Sequence, residues 1–234
     1  MPDAAPSPAP VWIGVAGWSY ADWKDVVYPR GCKDTLRAVA QRVGLIEINT
    51  TFHGQPTAKN SRSWVERTAD LGTRFTAKLP RAFTHERRFD NELVEQVIAG
   101  FAPLAESRRL VGLLAQFDHT LVHGDEAMAL LGRLAAAFAD TAPLFVELRH
   151  ASWNGDDALA AVRSLGVGVL ELDYPGAASG FGRDVTGVHA RGGLAYFRLH
   201  GRNRAWFRRG ATRDEVYDWR YSPREVELLW QRLQ

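Results

Sequence analysis

Short apolar runs alternate along this chain with longer stretches of helical periodicity, and every apolar run ends in polar or glycine residues. Strand-like runs cover 11–16, 45–48, 74–78, 110–115, 144–148, 167–172 and 194–199. They end at Gly17-Trp18, Glu47-Asn49, Lys78, Gln116, Glu147-Arg149-His150, Asp173 and Arg198-His200. Helical periodicity is expected over 33–42, 58–67, 91–105, 125–139, 156–165 and from 223 to the end, with Ser222 as N-cap and Pro223 in the first turn. A glycine-rich stretch, 175–193, stands where one more helix is expected. The spacing between strands is about 30 residues, the size of a βα unit.

The fold class expected is therefore α/β, a TIM-like (β/α) barrel with seven units visible and the final strand lacking. An open doubly wound sheet is the alternative. The barrel is preferred because polar residues end almost every strand instead of gathering at one switch point.

Side-chain alternation sharpens this picture. Leu45, Glu47 and Asn49 share one face of their strand, and Ile46 and Ile48 share the other. Glu147 and Arg149 oppose Val146 and Leu148; Lys78 opposes Ala77; Arg198 and His200 oppose Phe197 and Leu199. In a barrel the outer face lies under helices, so the charged members must face the mouth.

Composition narrows the setting. A chain of 234 residues, 46% of them hydrophobic, suits one barrel-sized domain, expected over 11–234, with 1–10 a disordered Pro/Ala-rich tail. Twenty-nine basic against 27 acidic residues give a formal charge of +2, which by itself calls for neither nucleic acid nor membrane. Cys32 is the one cysteine, so no intrachain disulfide forms. The first ten residues lack the apolar core of a secretory signal, and no run reaches the roughly 18 apolar residues of a membrane span. The expected location is the cytoplasm.

The inward set holds three carboxylates (Glu47, Glu147, Asp173), three fixed cations (Lys78, Arg149, Arg198) and His200, with Asn49 and Gln116 beside them. Carboxylates in a mouth serve as acid or base, the cations clamp an anion, and His200 shuttles protons near neutral pH. The plainer alternative is a buried ion-pair network, about neutral for stability while intact. Trp153 either stacks on a ligand or closes the apolar floor. Gly17 lets backbone approach a ligand, and Trp23 and Tyr28 are expected to pack the first loop. From Arg202 to Tyr221, arginines interleave with Trp206, Phe207, Trp219 and Tyr221, as in a single-stranded nucleic-acid groove or a loop closing on a phosphorylated ligand; a plain solvated loop is the commonest source of such a run. A divalent metal on Glu47, Glu147, Asp173 and His200 is not required by the spacing, and the three cations oppose it; no cofactor and no metal ligand are expected.

These residues carry a resemblance. Gly17-Trp18-Ser19-Tyr20, Tyr28-Pro29, Glu47-Ile48-Asn49-Thr50-Thr51-Phe52, Phe75-Thr76-Ala77-Lys78, Thr84-His85, Gln116-Phe117, Glu147-Leu148-Arg149-His150 with Trp153, and Arg198-Leu199-His200-Gly201-Arg202, with Tyr221 after them, resemble the DUF72 (YecE-like) family from Trp12 to Trp230. The resemblance implies a TIM-barrel-like fold and gives weight to Glu47, Asn49, Lys78, His85, Gln116, Glu147, Arg149, His150, Trp153, Arg198 and His200. It implies no activity, because the family is one of unknown function. Two departures stand out: His53 replaces a tyrosine usual in the family, and a last strand bearing paired asparagines does not follow.

The leading expectation is an enzyme, a hydrolase or lyase acting on a small anionic substrate such as a phosphate or carboxylate ester. Glu47 or Glu147 is its general base, His200 its general acid, and Lys78, Arg149 and Arg198 hold developing negative charge. Trp18, Asn49, Thr51, His85, Gln116, His150, Trp153, Asp173, Arg202 and Tyr221 are the expected substrate-binding set. On this reading Glu147→Gln abolishes turnover and spares the fold. The alternatives are a nucleic-acid-binding or nucleic-acid-processing barrel and a non-catalytic ligand-binding protein.

Overall fold

A computed structural model describes residues 11–173, 175 and 193–233. The expected tail at 1–10 and nearly all of the glycine-rich stretch lie outside the described residues. Strands β1 (Gly14–Ala16), β2 (Leu45–Ile48), β3 (Arg74–Lys78), β4 (Leu110–Gln116), β5 (Leu144–Glu147) and β6 (Gly168–Val169) form one parallel sheet in sequence order. Strands β7 (Glu171–Asp173) and β8 (Phe197–Leu199) pair in parallel next to it. Leu170 joins the two sets. Its N–H donates to Val146 O, and the next N–H, of Glu171, donates to Tyr196 O. One physical strand thus leaves β5 and takes up β8 as its partner. The outcome, among the described residues, is the barrel-like α/β arrangement that the pattern predicts, with its seven strands in sequence order.

Helices α1 (Thr35–Ala40), α2 (Thr50–His53), α3 (Ala58–Arg67), α4 (Arg81–Thr84), α5 (Asn91–Glu106), α6 (Asp125–Ala137), α7 (Asp156–Ser164), α8 (Arg213–Tyr217) and α9 (Pro223–Leu233) complete the described fold. Their starts are written in the sequence. The side chains of Asp34, Thr57 and Asp90 accept the N–H of Arg37, Asn60 and Leu93, each meeting a donor that a helix N-terminus leaves open. Ser222 and Glu225 cap α9 reciprocally, with Pro223 in the first turn as expected.

The core sits between sheet and helices. Ile46, Ile48, Phe75, Ala77, Leu113, Ala115, Val146 and Leu148 are all fully buried on the outer face, which forces Glu47, Thr76, Lys78 and Glu147 inward. The rule of an apolar outer face under helices fails at the two flanks of the sheet. Ile13 is 77% exposed before β1, and Leu199 on β8 is 52% exposed, because no described helix covers either position. No described helix is long and apolar enough to cross a membrane.

Candidate functional site

Parallel register brings the strand ends together. It sets Glu47 beside Thr76, and Gln116 beside Glu147. Arg198 on β8 reaches across and ties the two glutamates into one cluster. Its Nη1 donates to Glu147 Oε2 at 2.5 Å and, more loosely, to Gln116 Oε1 at 3.4 Å; its Nη2 donates to Glu47 Oε1 at 2.9 Å. Arg149 donates through Nε and Nη2 to the other oxygen of Glu147, at 2.8 and 2.5 Å. Lys78 ends β3 with its Nζ 3.9 Å from Glu47 Oε1 and 5.7 Å from the centre of the Phe52 ring.

The cluster contains three cations and two carboxylates, so one positive charge is left over. Burial would raise the pKa of Glu147, but Arg198 and Arg149 outweigh it and hold the carboxyl down at about 2. A carboxylate with both oxygens taken by guanidinium groups is an electrostatic anchor and a poor base. Lys78 is moved the other way: burial, reinforced by Arg198, pushes its amine down to about 8 against the pull of Glu47 and Glu147. Burial, then repulsion from Arg198, brings His200 down to about 4. The imidazole is therefore neutral at pH 7, and the expected proton shuttle near neutral pH becomes a neutral hydrogen-bonding group. Its Nε2 is buried without a hydrogen-bond partner among the described residues, as are Asn49 Oδ1 and Trp206 Nε1. Such atoms call for a ligand or water.

Three further site residues expected from the sequence form a separate cluster. Arg202 donates from Nε and Nη2 to Asp173 at 2.8–3.1 Å and from Nη1 to Glu225 at 3.3 Å. Tyr221 donates to Asp173 Oδ2 at 2.7 Å and accepts the Gly201 N–H at 3.0 Å. These contacts tie α9 to the ends of β7 and β8. Asp173 is thereby engaged by Arg202 and Tyr221, and Glu147 by two arginines.

Other expected contacts are packing. Trp153 is fully buried, donates to Leu121 O at 2.7 Å and meets the His123 ring, so it belongs to the floor. His150 Nδ1 accepts the Ser152 N–H and caps a short 3-10 turn, Ala151–Trp153. The Thr51 hydroxyl donates to Lys78 O at 2.6 Å, fixing the strand end that carries the amine. His85 packs edge-on against the Phe52 ring, the same ring that Lys78 approaches. Trp18 packs edge-on against Trp64, and Tyr28 is buried against Trp23, as expected for that loop. The space beside Gly17, at φ +77°, is filled by the Tyr20 side chain, whose hydroxyl donates to Ala16 O. The positive φ and the packed Tyr20 ring are what call for glycine in that turn.

Two residues went unnoticed in the sequence. Tyr196 donates to Glu47 Oε2 at 2.5 Å and meets the Thr76 hydroxyl at 2.8 Å. Burial and Glu47 keep its phenol protonated well beyond its usual range. Its position, two before Arg198 on the same face, was the available signal. Tyr217 on α8 packs against Trp206 and His200 and has no signal of its own in the sequence.

Comparison with known proteins follows from this geometry. The chain is similar to the UPF0759 protein YunF of Bacillus subtilis (strain 168), 25% identical over 234 residues, covering 93% of this chain and 80% of that protein. It is similar to the crystal structure of a DUF72 family protein from Thermotoga maritima MSB8, with 30% identity and a TM-score of 0.79 over 95% of this chain and 85% of the other. A DUF72 family structure from Enterococcus faecalis V583 shares the fold at 23% identity, with a TM-score of 0.77 over 94% of this chain and 82% of that one. The family model "Protein of unknown function DUF72" matches residues 12–234. The chain belongs to the DUF72 family.

Proposed function

We propose that this protein is an enzyme that binds a small anionic substrate, a phosphate or carboxylate, at the mouth formed by the C-terminal strand ends. One observation carries the reading: Lys78 is a largely desolvated cation only loosely paired, 3.9 Å from a Glu47 oxygen that Arg198 already occupies, in a cluster that also holds the Arg198 and Arg149 guanidinium groups. Nothing in fold stability calls for a third cation there, since an unmatched buried charge costs free energy. An anion that enters restores the balance. Arg149 and Lys78 face it, and Arg198 holds both glutamates in place. Lys78, not Glu147, takes the role of base, because a depressed amine is available near neutral pH and a doubly paired carboxylate is not.

Three arginines of the segment that motivated a nucleic-acid groove are engaged by other side chains of the fold. Arg202 holds Asp173 and Glu225, Arg208 pairs with Glu215, and Arg213 lies over the Tyr20 ring at 4.2 Å. This favours the small-anion reading.

Thermal shift against phosphate and carboxylate metabolites tests it. A ligand at a hundred times its dissociation constant adds about 2.7 kcal/mol of stability. The gain should vanish in Lys78→Met. A panel without any anion-dependent shift, or a shift indifferent to Lys78→Met, would count against it.

A further inference from the structure

We propose that Lys78 forms a protonated imine with its substrate, which makes the substrate an anion that also carries a carbonyl group, with a 2-oxo carboxylate as the simplest member of the class. This rests on the anion reading above and names its chemistry.

The choice of residue is the first argument. The chain has four lysines against 25 arginines. Lys24, Lys33 and Lys59 are exposed on the surface; Lys78, with a side chain 13% exposed, is the one turned inward. At the mouth itself the other two cations are arginines. If charge alone were needed, a third arginine would serve and would never lose its proton. An amine does something a guanidinium cannot, which is to present a lone pair to a carbonyl carbon.

The second argument is placement. A structural ammonium sits close to its carboxylate. Lys78 Nζ is 3.9 Å from Glu47 Oε1, and that same oxygen already accepts from Arg198 at 2.9 Å. The amine is thus poised near a proton acceptor without being clamped by one. Phe52 covers one side of it. Burial beside two guanidinium groups is the setting that frees a lysine amine for attack, and the depressed pKa of Lys78 agrees.

The step balances as follows. Lys78 gives its extra proton to Glu47. The free amine attacks the carbonyl carbon, a C–N bond forms, and the carbonyl π pair moves to oxygen, which takes the second amine proton. Glu47 returns its proton to this hydroxyl, which departs as water as the C=N bond forms. The product is an iminium beside the carboxylates of Glu47 and Glu147. Arg149, whose Nη1 makes no hydrogen bond to a described residue, holds the substrate carboxylate. Tyr196, which donates to Glu47 Oε2, is a positioning residue that orients the carboxylate.

The test uses the full chain with pyruvate or glyoxylate and sodium cyanoborohydride, read by intact mass and peptide mapping. One reduced adduct per chain is expected, at Lys78, exceeding each of the three exposed lysines by about tenfold or more because the buried amine is the activated one. Lys78→Arg, checked for folding by its melting transition, should lose the adduct, and Glu47→Gln should slow its formation. Mapping the adduct in the unaltered protein keeps the test valid even where a variant fails to fold. Labelling spread over the exposed lysines, or none, overturns the imine. A parallel thermal-shift arm compares pyruvate with lactate, which keeps the carboxylate and lacks the carbonyl. Equal shifts without an adduct at Lys78 overturn the imine and leave the anion reading standing; no shift and no adduct overturn both.

Discussion

Arg198 and Arg202 are four residues apart, and each holds two carboxylates. Arg202, with a side chain 35% exposed, joins Asp173 to Glu225, and the Tyr221 hydroxyl fills a further position on Asp173. Every strong group in that outer cluster has a partner, and the result is a fastening between α9 and the sheet. Arg198, 10% exposed, joins Glu47 to Glu147 in the same manner, but Arg149 and Lys78 are added and the sum of charge becomes positive. The same residue types therefore make a clasp in one place and a reactive centre in the other. What separates them is surplus: an amine left loosely matched, and polar atoms of Asn49, His200 and Trp206 without hydrogen-bond partners among the described residues.

The largest expected effect breaks the inner cluster at its anchor. Glu147→Gln leaves Arg198, only 10% exposed, and the half-buried Arg149 against a neutral amide, and breaking the buried pair in this way costs about 3–5 kcal/mol. Urea unfolding should show a lower midpoint at an unchanged slope, with the extrapolated stability reduced by that amount. This departs from the expectation drawn from the sequence, in which Glu147→Gln spares the fold; the two guanidinium groups on Glu147 are the reason. A variant as stable as the parent would show that the glutamate is not the anchor.

Lys78→Met should behave in the opposite way, leaving stability at pH 7 equal or higher, since it removes an unmatched buried charge. Its signature is in the pH dependence. The folded amine titrates near 8 and the unfolded one near 10.5, so between those values the unfolded chain binds the extra proton. Stability then rises with pH across that window, by about 3 kcal/mol at most. Denaturation curves at pH 8 and pH 10.5 should show the rise in the parent and its absence in Lys78→Met.

His200 acts on the acid side. Its folded pKa near 4 lies below the usual 6.5, so the unfolded state binds more protons between the two. Stability is lost as pH falls from 6.5 to 4, by about 2–3 kcal/mol. Glu147 adds its own loss lower down, from 4.5 towards 2. His200→Gln should flatten the first part of this acid limb and leave the second; an unchanged limb would place the titration elsewhere.

The smallest effect belongs to the outer clasp. Tyr221→Phe removes one hydrogen bond to Asp173 and one from Gly201, a loss of about 1–2 kcal/mol. Hydrogen exchange should report it mainly in α9. Anion binding at the inner cluster should stay unchanged, which separates the two clusters functionally.

Much of the site was legible because strand periodicity is local. Glu47, Glu147 and Arg198 face the mouth for the same reason that Ile46, Val146 and Ile48 face the helices, and a reader of alternation can assign them one at a time. Trp153 and Asp173 could not be assigned so, since each sits beside charged strand ends that look alike in sequence. Tyr196 shows the limit from the other side. Its face was readable, but its use was not, because a phenol becomes notable only when a carboxylate 149 residues away closes on it.

The amino-acid sequence by itself determined the run of seven strands with helices between most of them, the start of the last helix at Ser222, and the inward set of charged residues. All of these follow from periods and caps that span a few residues. Only the tertiary structure decided which acid meets which base. Pairing depends on how parallel strands distant in sequence fall into register, and on burial, which turns a lysine into a free amine and a histidine into a neutral ring. Arg198 and Arg202 are alike as letters, and they differ because one is carried to the centre of the mouth and the other to its rim.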